Sequence, residues 1–163
     1  MKIAVYPGSF DPFTNGHQDI VDRACEIFDK VVVAVAVNSS KKGGLFTMEE
    51  RLDLMREVLK DRDDVEVSTF DGLLVDFSEK VNATAIVRGI RAVTDFDYEY
   101  AIYQVNREMN PRIETVFLLA SKEYSYLSST ILKEVARYGR SVTEYAPAVV
   151  AEALLKKFGH QGE

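Results

Sequence analysis

Residues 3–17 run Ile3-Ala4-Val5-Tyr6-Pro7-Gly8-Ser9-Phe10-Asp11-Pro12-Phe13-Thr14-Asn15-Gly16-His17. The stretch opens as a short apolar run of strand type and crosses a segment rich in Pro, Gly, Asn and Asp. It then delivers Thr14-Asn15-Gly16-His17 to the start of a helical pattern. A strand, a loop and a helix start in that order aim backbone N–H groups at an anion, and the helix macrodipole favours negative charge there. The stretch is therefore expected to form a phosphate site with His17 in it.

Outward from this stretch, the spacing predicts β-α units in series. Strand one covers residues 3–6. From His17, the apolar residues Ile20, Val21, Ala24, Ile27 and Phe28 recur at helical spacing, so a helix is expected to end near Asp29. Residues 31–37 are an unbroken run of Val and Ala, the composition of a central strand buried on both faces. After a polar loop holding Lys41 and Lys42, Thr47-x-x-Glu50 matches a capping box and opens a helix over residues 48–60. Further strands are expected at 65–70, 84–87 and 114–120, with helices over 73–81 and 95–109 and Asn110-Pro111 stopping the second. Ser128 or Ser129 caps a helix to Arg137 with Gly139 just past its end, and Pro147 opens a last amphipathic helix. Strands alternating with helices imply right-handed crossovers. The expected fold is α/β: a doubly wound, Rossmann-like, five-stranded parallel sheet with helices on both faces and an extra C-terminal helix.

Composition narrows the function. At 163 residues the chain fits one domain, spanning 1–163, able to bury roughly 70% of its unfolded surface. The net charge of −6 argues against a general nucleic-acid binder and a polybasic membrane binder. Cys25 is the only cysteine, which points to a reducing compartment, and its place beside Ala24 on a helix suits an inert thiol. The Met-Lys start enters a strand within three residues, leaving no room for a signal peptide. No apolar run reaches the roughly 18 residues of a membrane span. A cytoplasmic protein is expected.

In such a sheet, ligands bind beyond the carboxyl ends of the strands at the switch point. The loops there carry Ser9, Thr14 and His17 after strand one, Lys41 and Lys42 after strand two, Arg88 and Arg91 after strand four, and Lys122 after strand five. The opposite edge is mixed in charge. This asymmetry in an acidic protein predicts a small polyanionic ligand such as a nucleotide. Arg88-x-x-Arg91 follows a buried strand and flanks a glycine, so both guanidinium groups are expected to leave the sheet edge; ion pairs with Asp95 or Asp97 are their competing use. Tyr98, Glu99 and Asn106 share a face of the long helix and can look into the same cavity. His160 is the only other histidine, and no His or Cys cluster suggests a metal site. The P-loop, the G-x-G-x-x-G fingerprint and G-x-S-x-G are all missing, so neither a P-loop kinase, a nicotinamide oxidoreductase nor a covalent nucleophile is indicated.

Thr14-Asn15-Gly16-His17 with Ser128-Ser129-Thr130 resembles the T/H-x-G-H nucleotidyltransferase superfamily. Residues 6–12, Arg88-Gly89-Ile90-Arg91-Ala92 and Ser121-Lys122-Glu123 narrow the resemblance to the bacterial phosphopantetheine adenylyltransferases, over nearly the whole chain. The resemblance implies an enzyme that transfers AMP from ATP to 4′-phosphopantetheine, giving dephospho-coenzyme A and pyrophosphate by direct in-line attack. It implies Mg²⁺ accompanying ATP, coenzyme A as a product-like inhibitor, and a homohexamer. It assigns Ser9, Lys41, Leu74 and Arg88 to phosphopantetheine. It assigns Ser9, Phe10, His17, Gly89, Ile90, Arg91, Glu99, Tyr124, Ser125, Tyr126, Leu127, Ser128, Ser129 and Thr130 to ATP, and gives His17, Lys41 and Arg91 the catalytic roles. Ser9 and Tyr124 stand where many members carry threonine and tryptophan. Two other outcomes are another small-molecule nucleotidyltransferase of the superfamily, and a non-catalytic nucleotide-binding regulator.

Overall fold

The structure, a computed structural model, describes residues 1–37 and 44–160. Strands β1 (Ile3–Gly8), β2 (Lys30–Ala36), β3 (Val65–Phe70), β4 (Ala85–Ile90) and β5 (Glu114–Leu119) form one parallel sheet in the order β3-β2-β1-β4-β5. Helices α1 (Asn15–Cys25), α2 (Met48–Val58), α3 (Leu74–Lys80) and α4 (Val93–Met109) connect them. Helices α5 (Ser129–Arg137) and α6 (Ala148–Lys157) follow β5. The chain runs outward from β1 to β3, then returns to the other side of β1 for β4. The switch point therefore lies between β1 and β4, where a doubly wound sheet holds its ligand.

The period-2 pleat distributes the central residues between two cores. Ala4, Val31, Val33, Val35, Ala85 and Val87 pack with Ile20, Val21, Ala24, Met55 and Leu59 of the α1–α2 side. Val5, Val32, Ala34 and Ile86 face the other way, toward Leu74, Val75 and Phe77 of α3. A separate cluster, with Phe46, Leu132, Ala136, Val150 and Leu154 buried, seats α5 and α6 against Leu54 and Val58 of α2 and the segment before it.

The element order follows the sequence reading, and several boundaries differ. Pairing carries β1 through Gly8, opposite Val35, and β4 through Ile90, opposite Leu119. Arg88, Gly89 and Ile90 therefore belong to a strand and not to the loop after it. Helix α1 starts at Asn15 because Thr14 is its N-cap, and it ends at Cys25, short of Asp29. Helix α4 starts at Val93 rather than Asp95. The predicted caps at Thr47 and Ser128 are in place. Lys41 and Lys42 lie outside the described residues.

Candidate active site

A cleft of about 570 Å³ opens at the carboxyl ends of β1 and β4, within the size range of small-molecule sites. Its floor is Tyr6 to Phe10, Arg88 and Gly89; one wall is the start of α1 with Tyr124 and residues 127–130, the other is α4 with Thr94, Asp95, Tyr98 and Glu99.

His17 is built in by helix capping. Thr14 accepts the His17 N–H through Oγ1 at 3.3 Å, and the Thr14 N–H donates to Nδ1 of His17 at 3.0 Å. This is a capping box with histidine in the place usually held by Glu or Gln. Because Nδ1 is an acceptor, the neutral ring carries its proton on Nε2. Phe10 and Phe13 pack on the ring with centroids 5.0 and 5.6 Å away. Burial, with the Arg91 charge as a second cause, pulls its pKa down to about 4. His17 is thus a neutral hydrogen-bond donor at pH 7, not an imidazolium.

The two arginines do not leave the sheet edge together. Arg88 points to the α4 side, where Nε and Nη2 form a fork on the Glu99 carboxylate at 2.6 and 2.5 Å and Nη1 donates to the Pro7 carbonyl at 3.1 Å. Its partner is Glu99, not the Asp95 or Asp97 weighed from the sequence. Gly89, one residue on, faces α1, where an added Cβ would meet Ile20 at 3.3 Å. Arg91 stands beyond the strand and ties the walls together, with Nε 3.3 Å from the Asp95 carboxylate and Nη1 donating to the Leu127 carbonyl at 3.2 Å. An arginine has five N–H donors, so each keeps some for a ligand.

At the α5 wall, Ser128 caps the helix by accepting the Ile131 N–H at 3.2 Å, and the Ser129 hydroxyl donates to the Pro12 carbonyl at 2.8 Å. The helix start with its free N–H groups thus faces the cleft, as an anion site requires. Beneath it, Asp11 accepts from the Leu45 and Phe46 N–H groups at 3.0 and 2.9 Å and from Lys133 Nζ at 3.1 Å. Burial alone would raise the Asp11 pKa, but the donated hydrogen bonds and the Arg51 charge outweigh it and hold the carboxyl below its usual range. Arg51 donates to the Ser9 carbonyl at 3.1 Å, which fixes the loop that carries Ser9.

Of the residues assigned from the sequence, the cleft brings together Ser9, Phe10, His17, Arg88, Gly89, Arg91, Glu99, Tyr124, Leu127, Ser128, Ser129 and Thr130. Phe10, at φ +44°, is 1% exposed, and its ring shapes the floor. Ile90 is buried in the sheet, and Leu74 packs in the α3-side core instead of lining the cleft. Tyr126 is 60% exposed and turned toward Tyr145; Ser125 and Lys122 are exposed outside the cleft. Asn106 is buried along α4, away from Tyr98 and Glu99 in the cleft. Burial, with the Asp64 carboxylate as a second cause, pushes the Cys25 thiol up to about 12. The Asp11–Arg51–Lys133 support was not read from the sequence, because its members lie far apart in the chain; only Lys133, one turn after the Ser-Ser-Thr cap, carried a local signal.

The chain matches the cytidylyltransferase-like family over residues 5–135. It is 56% identical over 157 residues to a phosphopantetheine adenylyltransferase of Leptospira biflexa, covering 96% of this chain and 98% of that one. The corresponding figures for the enzyme of that name from Caldanaerobacter subterraneus are 51% identity, 97% and 98%. In fold it is similar to a bifunctional NMN adenylyltransferase/ADP ribose pyrophosphatase from Francisella tularensis, with TM-score 0.74, 19% identity, and coverage of 98% of this chain and 50% of that chain. The Plasmodium falciparum nicotinic acid mononucleotide adenylyltransferase gives TM-score 0.67 at 12% identity, with 95% of each chain covered. With its capped histidine, two anchored arginines and helix start around one cleft, and identity above half to relatives matched nearly end to end, the chain belongs to the phosphopantetheine adenylyltransferases of the cytidylyltransferase-like family.

Proposed function

We propose that the protein transfers the adenylyl group of ATP to 4′-phosphopantetheine, releasing pyrophosphate and forming dephospho-coenzyme A. The observation that carries this is the convergence of His17, Arg88, Arg91 and the α5 start on one cleft at the switch point. An oxygen of the acceptor phosphate attacks the α-phosphorus of ATP, a P–O bond forms, and the bond to pyrophosphate breaks in line. The attacking group is already an anion, so no general base is required. The barrier lies in bringing polyanions together and in the charge that builds on the α-phosphate and leaving group. Ser9, Arg88 and Lys41 hold the acceptor phosphate. His17 donates from Nε2 to the α-phosphate, while Arg91 and the N–H groups at residues 128–130 hold the triphosphate. Positioning of this kind is worth roughly 7–11 kcal/mol of barrier, and one preorganised donor about 3–4 kcal/mol.

Mg²⁺ bound to the triphosphate neutralises part of its charge. The cleft suits an ion held by phosphate oxygens and water: its carboxylates Asp95 and Glu99 are each engaged by an arginine, and among the described residues no three His, Cys, Asp or Glu side chains gather. Coenzyme A, sharing the pantetheine arm and nucleotide of the product, competes for the same cleft. The work is done in the cytoplasm by a homohexamer; what supports association of copies is the exposed apolar surface of Val93, Val105 and Met109 on α4 and Leu119 on the edge strand β5. Pyrophosphate release from ATP is the test: it should require phosphopantetheine, and nicotinamide mononucleotide should not substitute for it. Release with the mononucleotide alone would overturn the acceptor assignment.

A further inference from the structure

We propose that the hydroxyl of Tyr6 is a further substrate contact, donating a hydrogen bond from the cleft floor to a phosphate oxygen of the bound nucleotide. Tyr6 stands on β1, beside the switch point, and is 6% exposed. Its ring is fixed edge-on against Phe10 at 5.5 Å and lies 6.5 Å from His17. The hydroxyl sits 3.9 Å from where a Gly89 Cβ would stand, so the bare glycine puts no side chain against it there.

A buried tyrosine hydroxyl ordinarily finds a partner. Among the described residues none bonds to this one, yet no side-chain polar atom is both sealed from solvent and unpaired. The hydroxyl therefore opens on the cleft that Tyr6 lines, and the cleft must supply its partner. The local field identifies that partner as an anion. Arg88 on β4 and Arg91 just past its end both act on the phenol, and Asp19 and Glu99 are the nearby carboxylates. Both carboxylates are occupied elsewhere, Asp19 by Ser121 and Arg23, and Glu99 by Arg88. Burial keeps the phenol protonated throughout the neutral range, so the group is a neutral donor that attracts a phosphate oxygen without bringing a charge. Tyr6 projects with His17 and Gly89 on the α1 side of the sheet, which assigns it to the nucleotide rather than to the acceptor near Arg88.

The proposal takes the identity of its ligand from the adenylyl-transfer reading, and the test separates the two. Tyr6→Phe removes only the oxygen. ATP binding to the whole protein, measured by calorimetry without acceptor, should weaken by about tenfold, the scale of one hydrogen bond to a charged group. The melting temperature should match or exceed that of the wild type, because no hydrogen bond within the protein is lost. Unchanged ATP affinity would overturn the proposal, as would weakened binding accompanied by a lowered melting temperature, which would mark Tyr6 as a structural group. A wild-type protein that binds ATP without transferring AMP would sink the acceptor reading and leave the Tyr6 comparison valid.

Discussion

The wall of the cleft made by α1 and α5 is held by the chain's own contacts, whereas the wall made by α4 leaves much of its apolar surface uncovered. On the first wall Ile20, Val21, Ala24, Leu132 and Ala136 are buried, Asn15 donates to the Tyr145 carbonyl at 2.9 Å, and Asp11 ties α5 to the segment that enters α2. On the second, the residues of α4 that are buried are polar, Glu99 and Asn106, while Val93 is 83% exposed, Tyr98 69% and Val105 54%. The stronger scaffold lies on the side proposed for the nucleotide, where charge must be met by donors already in place. The α4 side holds Arg88 through one half-buried ion pair and leaves its outer face exposed.

Changes on the anchored wall should therefore cost turnover and stability, and changes on the α4 wall should cost acceptor affinity and assembly. The largest effect is expected for His17→Ala: a folded protein whose pyrophosphate release falls roughly 10²-fold or more, as for loss of one transition-state donor. Near wild-type turnover would remove His17 from the mechanism. Asp11→Asn leaves Lys133 and Arg51 facing a neutral group and should cost about 3 kcal/mol, a fall in melting temperature of roughly 6–12 °C read by thermal denaturation.

Stability should also fall with pH through the same wall. The folded pKa of His17 is depressed from 6.5 to about 4, so on acidification the unfolded chain takes up the proton first. Its stabilising contribution is whole above pH 6.5 and drains away toward pH 4. Nitrogen NMR at pH 6 should show a neutral ring protonated on Nε2, and an imidazolium there would contradict the capping geometry. Asp11, a carboxyl with a lowered pKa, loses its contribution lower still, as pH falls through its folded value.

On the α4 wall, Arg88→Ala should raise the KM for phosphopantetheine about tenfold and change that for ATP by less than about twofold, since one charge-assisted contact is lost on the acceptor side. The smallest effect on the fold itself is expected from Val105→Asp, at a position already 54% exposed. Light scattering should show a smaller particle, and an unchanged mass would mean that α4 is not an assembly face.

Much of this architecture is legible in the sequence because it is local or periodic. The alternating β-α order, the Thr47 and Ser128 caps and the Val-rich central strand each follow from residues within a few positions of one another. Arg88 was legible as a site residue but not as a strand residue. Its face depends on where β4 ends, and that end is set by pairing with β5, a partner 29 residues away through Phe117. The Asp11 support and the open Tyr6 hydroxyl were invisible for the same reason.

The sequence by itself determined the alternating β-α order, the parallel sheet and the helix start at which an anion can be held, since hydrophobic period, turn residues and capping act over single turns of chain. Only the tertiary structure decided that His17 is neutral with its proton on Nε2, that Arg88 is shared with Glu99, and that the Tyr6 hydroxyl finds no partner among the described residues. Those properties depend on burial and on charges brought together from distant strands, and neither is encoded in any one stretch.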